Sequence, residues 1–114
     1  MEPTQFKVII EPRDSGVVVH VHGDVGLASV GMLHKNIEKL HELRGNVIVD
    51  FAHCTFIASL GMGVLITLQR HVAENGGAVR LAALPAELHD TLYRAGLLNL
   101  FTVYPTVEAA LSAG

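Results

Sequence analysis

Two apolar runs open the chain, "FKVII" at 6–10 and "GVVVHVH" at 16–22, and both are rich in β-branched residues. Pro12, Asp14 and Gly16 mark the "EPRDSG" segment between them, so the pair predicts an antiparallel hairpin. Side chains alternate across a strand, which puts Val17, Val19 and Val21 on one face and Val18, His20 and His22 on the other. The period then changes. From about Ala28 to Leu43, the residues Val30, Leu33, Ile37 and Leu40 recur at helical spacing, with His34, Lys35, Glu38, Lys39 and Glu42 off that stripe. Gly45 stops the helix.

"NVIVDF" at 46–51 is a continuous apolar run of the kind that fills a central strand. After the loop "AHCT", the stretch "FIASLGMGVLI" at 56–66 leads into a helix to about Glu74, closed by "NGG" at 75–77. "AVRLAAL" at 78–84 predicts a fourth strand. Pro85 suits the first turn of a helix to about Ala95, with Leu88 and Leu92 inward and Gly96 as its cap. "LFTVY" at 100–104 predicts a last strand, and Pro105 begins a terminal helix in "PTVEAALSAG". The order β-β-α-β-α-β-α-β-α predicts an α/β fold, a mixed sheet opening with an antiparallel hairpin and carrying its helices mainly on one face.

Composition narrows the class. A chain of 114 residues, half of them hydrophobic, is expected to form a single domain over 1–114 with a real core. A net charge of −3 gives no electrostatic reason to bind nucleic acid or anionic lipid. Tryptophan is absent and other aromatics are few, which argues against platforms for stacked bases. The single Cys54 cannot form an internal disulfide. With no basic leader and no apolar run near the ~20 residues of a membrane span, the expected location is the cytoplasm, without membrane insertion.

Candidate chemistry is sparse. Of the seven histidines, His20 and His22 share a strand face, but no H-x-x-x-H pair, second cysteine or carboxylate cluster completes a metal-ligand set. His53 and Cys54 are adjacent, and adjacent residues on an extended segment point to opposite sides, so Cys54 is expected to pack rather than react. Neither "GDVG" (23–26) nor "GMG" (61–63) completes a phosphate-binding loop. No cofactor is expected, and no nucleophile, base and orienting group converge, so no enzyme is expected either.

The stretch 56–66 holds the remaining interest. Ser59 stands where an N-cap would, a role worth about 1 kcal/mol. Gly61 and Gly63 fall within one turn, where each glycine costs about 1 kcal/mol against alanine. That lowered local stability and bare backbone suit close approach by another protein, with Leu60 and Met62 as apolar contacts.

The order of elements and three segments, "GVVVHVHGDVG", "VIVDFAHCTFIASLGMGVLI" and "GGAVRLAALPAELHDTLYRAGLLNLFTVYPTVEAAL", together resemble the STAS domain family, specifically its anti-sigma factor antagonists. In such proteins a strand ends in Asp, here Asp50, and a Ser- and Gly-rich turn opens the next helix, here "ASLGMG". The resemblance implies partner switching: the unmodified antagonist binds an anti-sigma factor, often itself a serine kinase, and phosphorylation at this turn breaks the complex. The family pattern is similar to Asp-Ser-Ser-Gly with the second serine as acceptor, and here it falls on Ala58, Ser59, Leu60 and Gly61. Leu60 has no hydroxyl, Ala58 replaces the acid, and Gly26 replaces the acid that ends the "GDVG" motif, with Asp24 nearby.

The resemblance therefore implies a non-enzymatic binding module that regulates transcription without the usual phosphoserine. Its partner-binding residues are expected to be Asp24, Ala58, Ser59, Leu60, Gly61, Met62, Gly63, Thr67 and Arg70. Ser59 is also a possible displaced phosphoacceptor, and Thr55 a further one. Two alternatives remain open, a subunit bracing the ATPase of a bacterial lipid transporter and a scaffold in a signalling assembly.

Overall fold

The computed structural model describes residues 5–113. In chain order the elements are β1 (Lys7–Arg13), β2 (Gly16–His22), α1 (Val30–Glu38), β3 (Asn46–His53), α2 (Ser59–Glu74), β4 (Val79–Ala82), α3 (Ala86–Arg94), a 3₁₀ turn (Leu97–Asn99), β5 (Thr102–Tyr104) and α4 (Val107–Ser112). The five strands form one sheet in the order β1-β2-β3-β4-β5. β1 and β2 pair antiparallel as the hairpin, and every other neighbouring pair is parallel, each joined through a helical crossover.

Register explains where the core lies. Ile10 pairs with Val19, Val19 with Val49, Val49 with Leu81 and Leu81 with Val103, so an unbroken apolar row crosses the sheet on one face. Leu33, Ile37 and Leu40 from α1 and its tail, Leu65, Leu68 and Val72 from α2, and Leu88 and Leu92 from α3 close over that face. Burying such side chains contributes about 1.5–3 kcal/mol each before entropy is counted. The stripes expected from spacing in α1 and α3 are the ones that pack, and α2 adds its own.

Several boundaries differ from the periodicity, each for a local reason. α1 ends at Glu38 because its tail tightens into three-residue turns, with Leu40 bonded back to Ile37, His41 to Glu38 and Leu43 to Leu40. β4 stops at Ala82 because Ala83 adopts a left-handed conformation (φ 58°) while its N–H donates to the Tyr104 carbonyl. Leu97–Asn99 turns once as 3₁₀ helix after Gly96, whose φ of 77° ends α3, so β5 is shorter than the apolar run suggests. Pro85 and Pro105 precede their helices: Pro85 is the N-cap of α3, and Thr106 caps α4 by accepting from the Ala109 N–H at 3.0 Å.

The largest difference is α4. It lies on the opposite face of the sheet, where Ala110 packs on Val18, Ile48 and Ala82. Farther along that face His20 lies between Asp50 and Glu11 at 2.7 and 2.8 Å. An imidazole with a carboxylate on each nitrogen holds both protons. Burial pulls its pKa down, but Glu11 and Asp50 outweigh burial and raise it above the ordinary value.

Candidate functional site

Three segments meet where β2 and β3 end: the β2–α1 loop, the β3–α2 loop and the first turns of α2. The Gly23 N–H donates to the His53 carbonyl at 2.9 Å and the Val25 N–H to the Phe56 carbonyl at 2.9 Å. The Ala58 N–H returns a bond to the Val25 carbonyl at 2.7 Å. Val25 and Ile57 thus form a parallel bridge that prolongs the pairing of β2 and β3 into both loops. The Asp24 carboxylate adds a clasp, its Oδ1 accepting from the Thr55 N–H (2.8 Å), the Phe56 N–H (3.2 Å) and the Thr55 hydroxyl (3.0 Å). Hydrogen bonds to an ionised acceptor are among the stronger ones. On its other side the Ser29 hydroxyl accepts from the Gly26 N–H at 2.9 Å and donates to the Asp24 carbonyl at 2.8 Å.

Asp24, expected at a partner interface, is thus occupied in fastening one loop to the other. Its residue remains exposed, but its oxygens are directed at the backbone of Thr55 and Phe56. Ser59 also differs from expectation. The N-cap of α2 is Ala58, in extended conformation (φ −74°, ψ 162°), and no side chain caps the helix. Ser59 is the first helical residue and exposed, so its hydroxyl sits at the helix start without the capping role. The cause is tertiary: the Val25–Ile57 bridge holds the chain extended through Ala58, which moves the cap one residue earlier.

The two glycines separate. A Cβ on Gly61 would lie 2.7 Å from Ile57 Cγ1 and 2.8 Å from Val25 Cγ1. Gly61 is buried, and its missing side chain lets α2 press onto the bridged loops rather than onto a partner. Gly63 faces outward with nothing within 4 Å of a notional Cβ. Met62, expected as an exposed contact, is half-buried and packs on the core. Thr67 is half-buried, while Arg70 is exposed.

Leu60 is 61 % exposed, as a contact residue requires. The structure also exposes apolar side chains that the sequence reading missed: Leu27 (80 % exposed) and Phe56 on the two loops, Met32 on α1 and Ile66 on α2. Ile66 was legible in principle, three residues after the outward Gly63 and six after Leu60 on the face away from the buried stripe. Leu27 and Phe56 sit in loops, where no period distinguishes an inward from an outward apolar residue. Beside them an open groove is lined by Phe6, Gly23, Ala28 and Met32.

Reactive chemistry does not gather here. Cys54 is fully buried, and burial pushes its thiol up to about 11, so it carries no thiolate near neutrality. His53 is exposed on the other side, its ring centroid 4.7 Å from that of His22. Among the described residues no group of three or more His, Cys, Asp or Glu side chains is arranged to hold a metal ion. No helix of the described residues is long and apolar enough to cross a membrane.

Known proteins share this framework. An anti-sigma factor antagonist from Mycobacterium paratuberculosis superposes with a TM-score of 0.87 at 22% identity, over 98% of this chain and 96% of that one. The Bacillus cell fate determinant SpoIIAA in its phosphorylated form gives 0.67 at 19% identity, over 94% and 96% of the two chains. A sulfate transporter family protein from Wolinella succinogenes gives 0.72 at 18% identity, over 83% and 80%. At these identities the likeness is one of fold. The sequence model of the STAS domain, however, matches residues 7–110, nearly the whole of the β-β-α-β-α-β-α-β-α order described above, and the chain belongs to the STAS domain family.

Proposed function

We propose that the protein is a non-enzymatic anti-sigma factor antagonist that docks an anti-sigma factor or related serine kinase on the first turns of α2. The observation that carries this reading is the exposed Leu60 on the first turn of α2, with exposed Leu27 and Phe56 on the two loops braced beneath it and exposed Met32 and Ile66 on the helices those loops lead into. Exposed apolar side chains gathered at one end of a small domain mark a protein-binding surface more often than a catalytic one. Arg70, farther along the same helix, adds a positive charge at the rim, and Thr67 lies beside it. The resemblance in sequence to the antagonists and the fold shared with the one from Mycobacterium paratuberculosis support the choice of partner.

Regulation differs from the family pattern in this reading. Leu60 offers no hydroxyl where the acceptor would stand, so the complex is controlled through the partner or not at all. A phosphate adds close to two negative charges, and leucine cannot carry them. Ser59 is the competing acceptor, because its hydroxyl is exposed at the helix start. Incubation with the cognate kinase and ATP followed by intact mass separates the cases: stoichiometric phosphate, absent from Ser59→Ala, transfers the switch to Ser59.

Leu60→Asp tests the docking surface. The side chain is mostly outside the core, so the variant is expected to fold with stability within about 0.5 kcal/mol of wild type. Partner affinity measured by calorimetry is expected to fall by at least about tenfold, as for a buried contact residue worth more than about 1.4 kcal/mol. Full affinity in a folded Leu60→Asp would remove this surface from the reading. The missing acceptor also favours a second reading, a subunit bracing a transporter ATPase. Affinity purification from the host decides between them, by whether a kinase and sigma factor or an ATPase and permease are recovered.

A further inference from the structure

The opposite end of α2 holds a different arrangement, and it stands apart from the docking reading. His41, in the turn after α1, and His71, in the last turn of α2, lie face to face with ring centroids 3.9 Å apart and planes 16° from parallel. The Nε2 of His41 is buried and has no hydrogen-bond partner. Asn75 fastens the same turn, its side-chain amide donating to the carbonyls of His41 (2.9 Å) and Leu43 (3.2 Å).

This geometry suits neutral rings. A proton added to His41 Nε2 would be a buried donor with no acceptor, and an unmade buried hydrogen bond is costly. Two imidazolium rings stacked at this distance would also repel. The near-parallel planes keep the ring nitrogens from converging on one point, which is what a shared ion needs. The charges acting on His41 are His71 across the stack and Glu38 and His34 from α1, and of these only Glu38 favours the protonated ring.

We infer that the His41–His71 stack is a proton-sensitive latch between the tail of α1 and the end of α2, closed while His41 is neutral and released in mild acid. Burial first, and then His71, hold the His41 pKa below its ordinary 6.5. The unfolded chain therefore takes up this proton at a higher pH than the folded one. The latch contributes fully above 6.5 and loses its contribution as pH falls through the folded value. His20 works in the opposite sense: its raised pKa stabilises the sheet at low pH and fades as pH rises. His22 at the end of β2 shares the sense of His41, its pKa held below 6.5 by burial and by His53.

Hydrogen exchange on the full chain, corrected for intrinsic rates and compared at about pH 7.5 and about pH 5.5, tests the latch. Protection of residues 39–43 and 71–77 is expected to fall by about threefold or more in acid, while that of β3 holds. In His41→Phe, which keeps an uncharged ring in the stack and removes the group that takes up the proton, the fall is expected to be less than about twofold. NMR titration of wild type is expected to place the His41 midpoint below 6.5. Unchanged protection in wild type, an equal fall in His41→Phe, or a His41 midpoint at or above 6.5 would each overturn the latch. Should His41→Phe not fold, the wild-type titration and His41→Gln decide by the same criteria.

Discussion

At its first turn α2 is held by backbone bonds and by the absence of a side chain; at its last turn it is held by side chains. The first turn rests on the Val25–Ile57 bridge, and Gly61 lets the helix settle onto it. The last turn is joined to the tail of α1 by Asn75 and by the stacked imidazoles. Backbone bonds do not titrate, so the bridge that shapes the first turn holds no proton-sensitive group. That shape leaves its outer surface free to be apolar and unpaired, as a docking surface must be. Side-chain fastening at the other end leaves that end open to protons.

The comparison breaks most severely at Gly61. Gly61→Val would drive its branched side chain into Ile57 and Val25, both fully buried. Overpacking of this kind is expected to cost about 2–3 kcal/mol, read as a lower urea midpoint. A cost under about 0.5 kcal/mol would mean that the bridged loops yield easily and do not brace the turn.

A second pair of variants ranks the two fastenings directly. Asp24→Ala removes the acceptor for two backbone N–H groups and a hydroxyl, an expected cost of about 1–2 kcal/mol. Asn75→Ala removes a neutral donor from two exposed carbonyls, with an expected cost nearer about 0.5–1 kcal/mol. Denaturant unfolding of both at neutral pH checks the order. The reverse order would make the latch end the firmer of the two.

The smallest effect sharpens the role of Gly63. With nothing near a notional Cβ, Gly63→Ala is expected to stabilise the helix by about 0.5–1 kcal/mol in thermal or urea unfolding. If the bare backbone serves a partner, the same variant weakens partner binding in calorimetry while it stabilises the fold. Stabilisation with undiminished binding would assign Gly63 no role in docking.

Much of this was readable from spacing alone. Val19, Val49 and Leu81 meet across the sheet, and Leu33, Ile37, Leu88 and Leu92 cover them, as their periods require. The site was located but not resolved. The segment 58–63 was marked by its paired glycines, yet their different duties depend on what each backbone faces, which no local pattern records. Ser59 was placed as a cap because serine favours that position, and a bridge to a residue more than thirty positions away moved the cap to Ala58. Asp24 was placed at an interface because the family resemblance puts the "GDVG" loop there; only the folded chain brings Thr55 and Phe56 beneath it.

The sequence by itself determined the order of elements, the core-facing stripes and the place of the unusual helix start, because these follow from period, branching and turn chemistry within a few residues. Tertiary structure alone decided which glycine is buried, which apolar side chains stay outside, that α4 crosses to the other face, and that His41 meets His71. Each of those depends on segments far apart in the chain arriving at one place, and local periodicity carries no information about the neighbour that arrives.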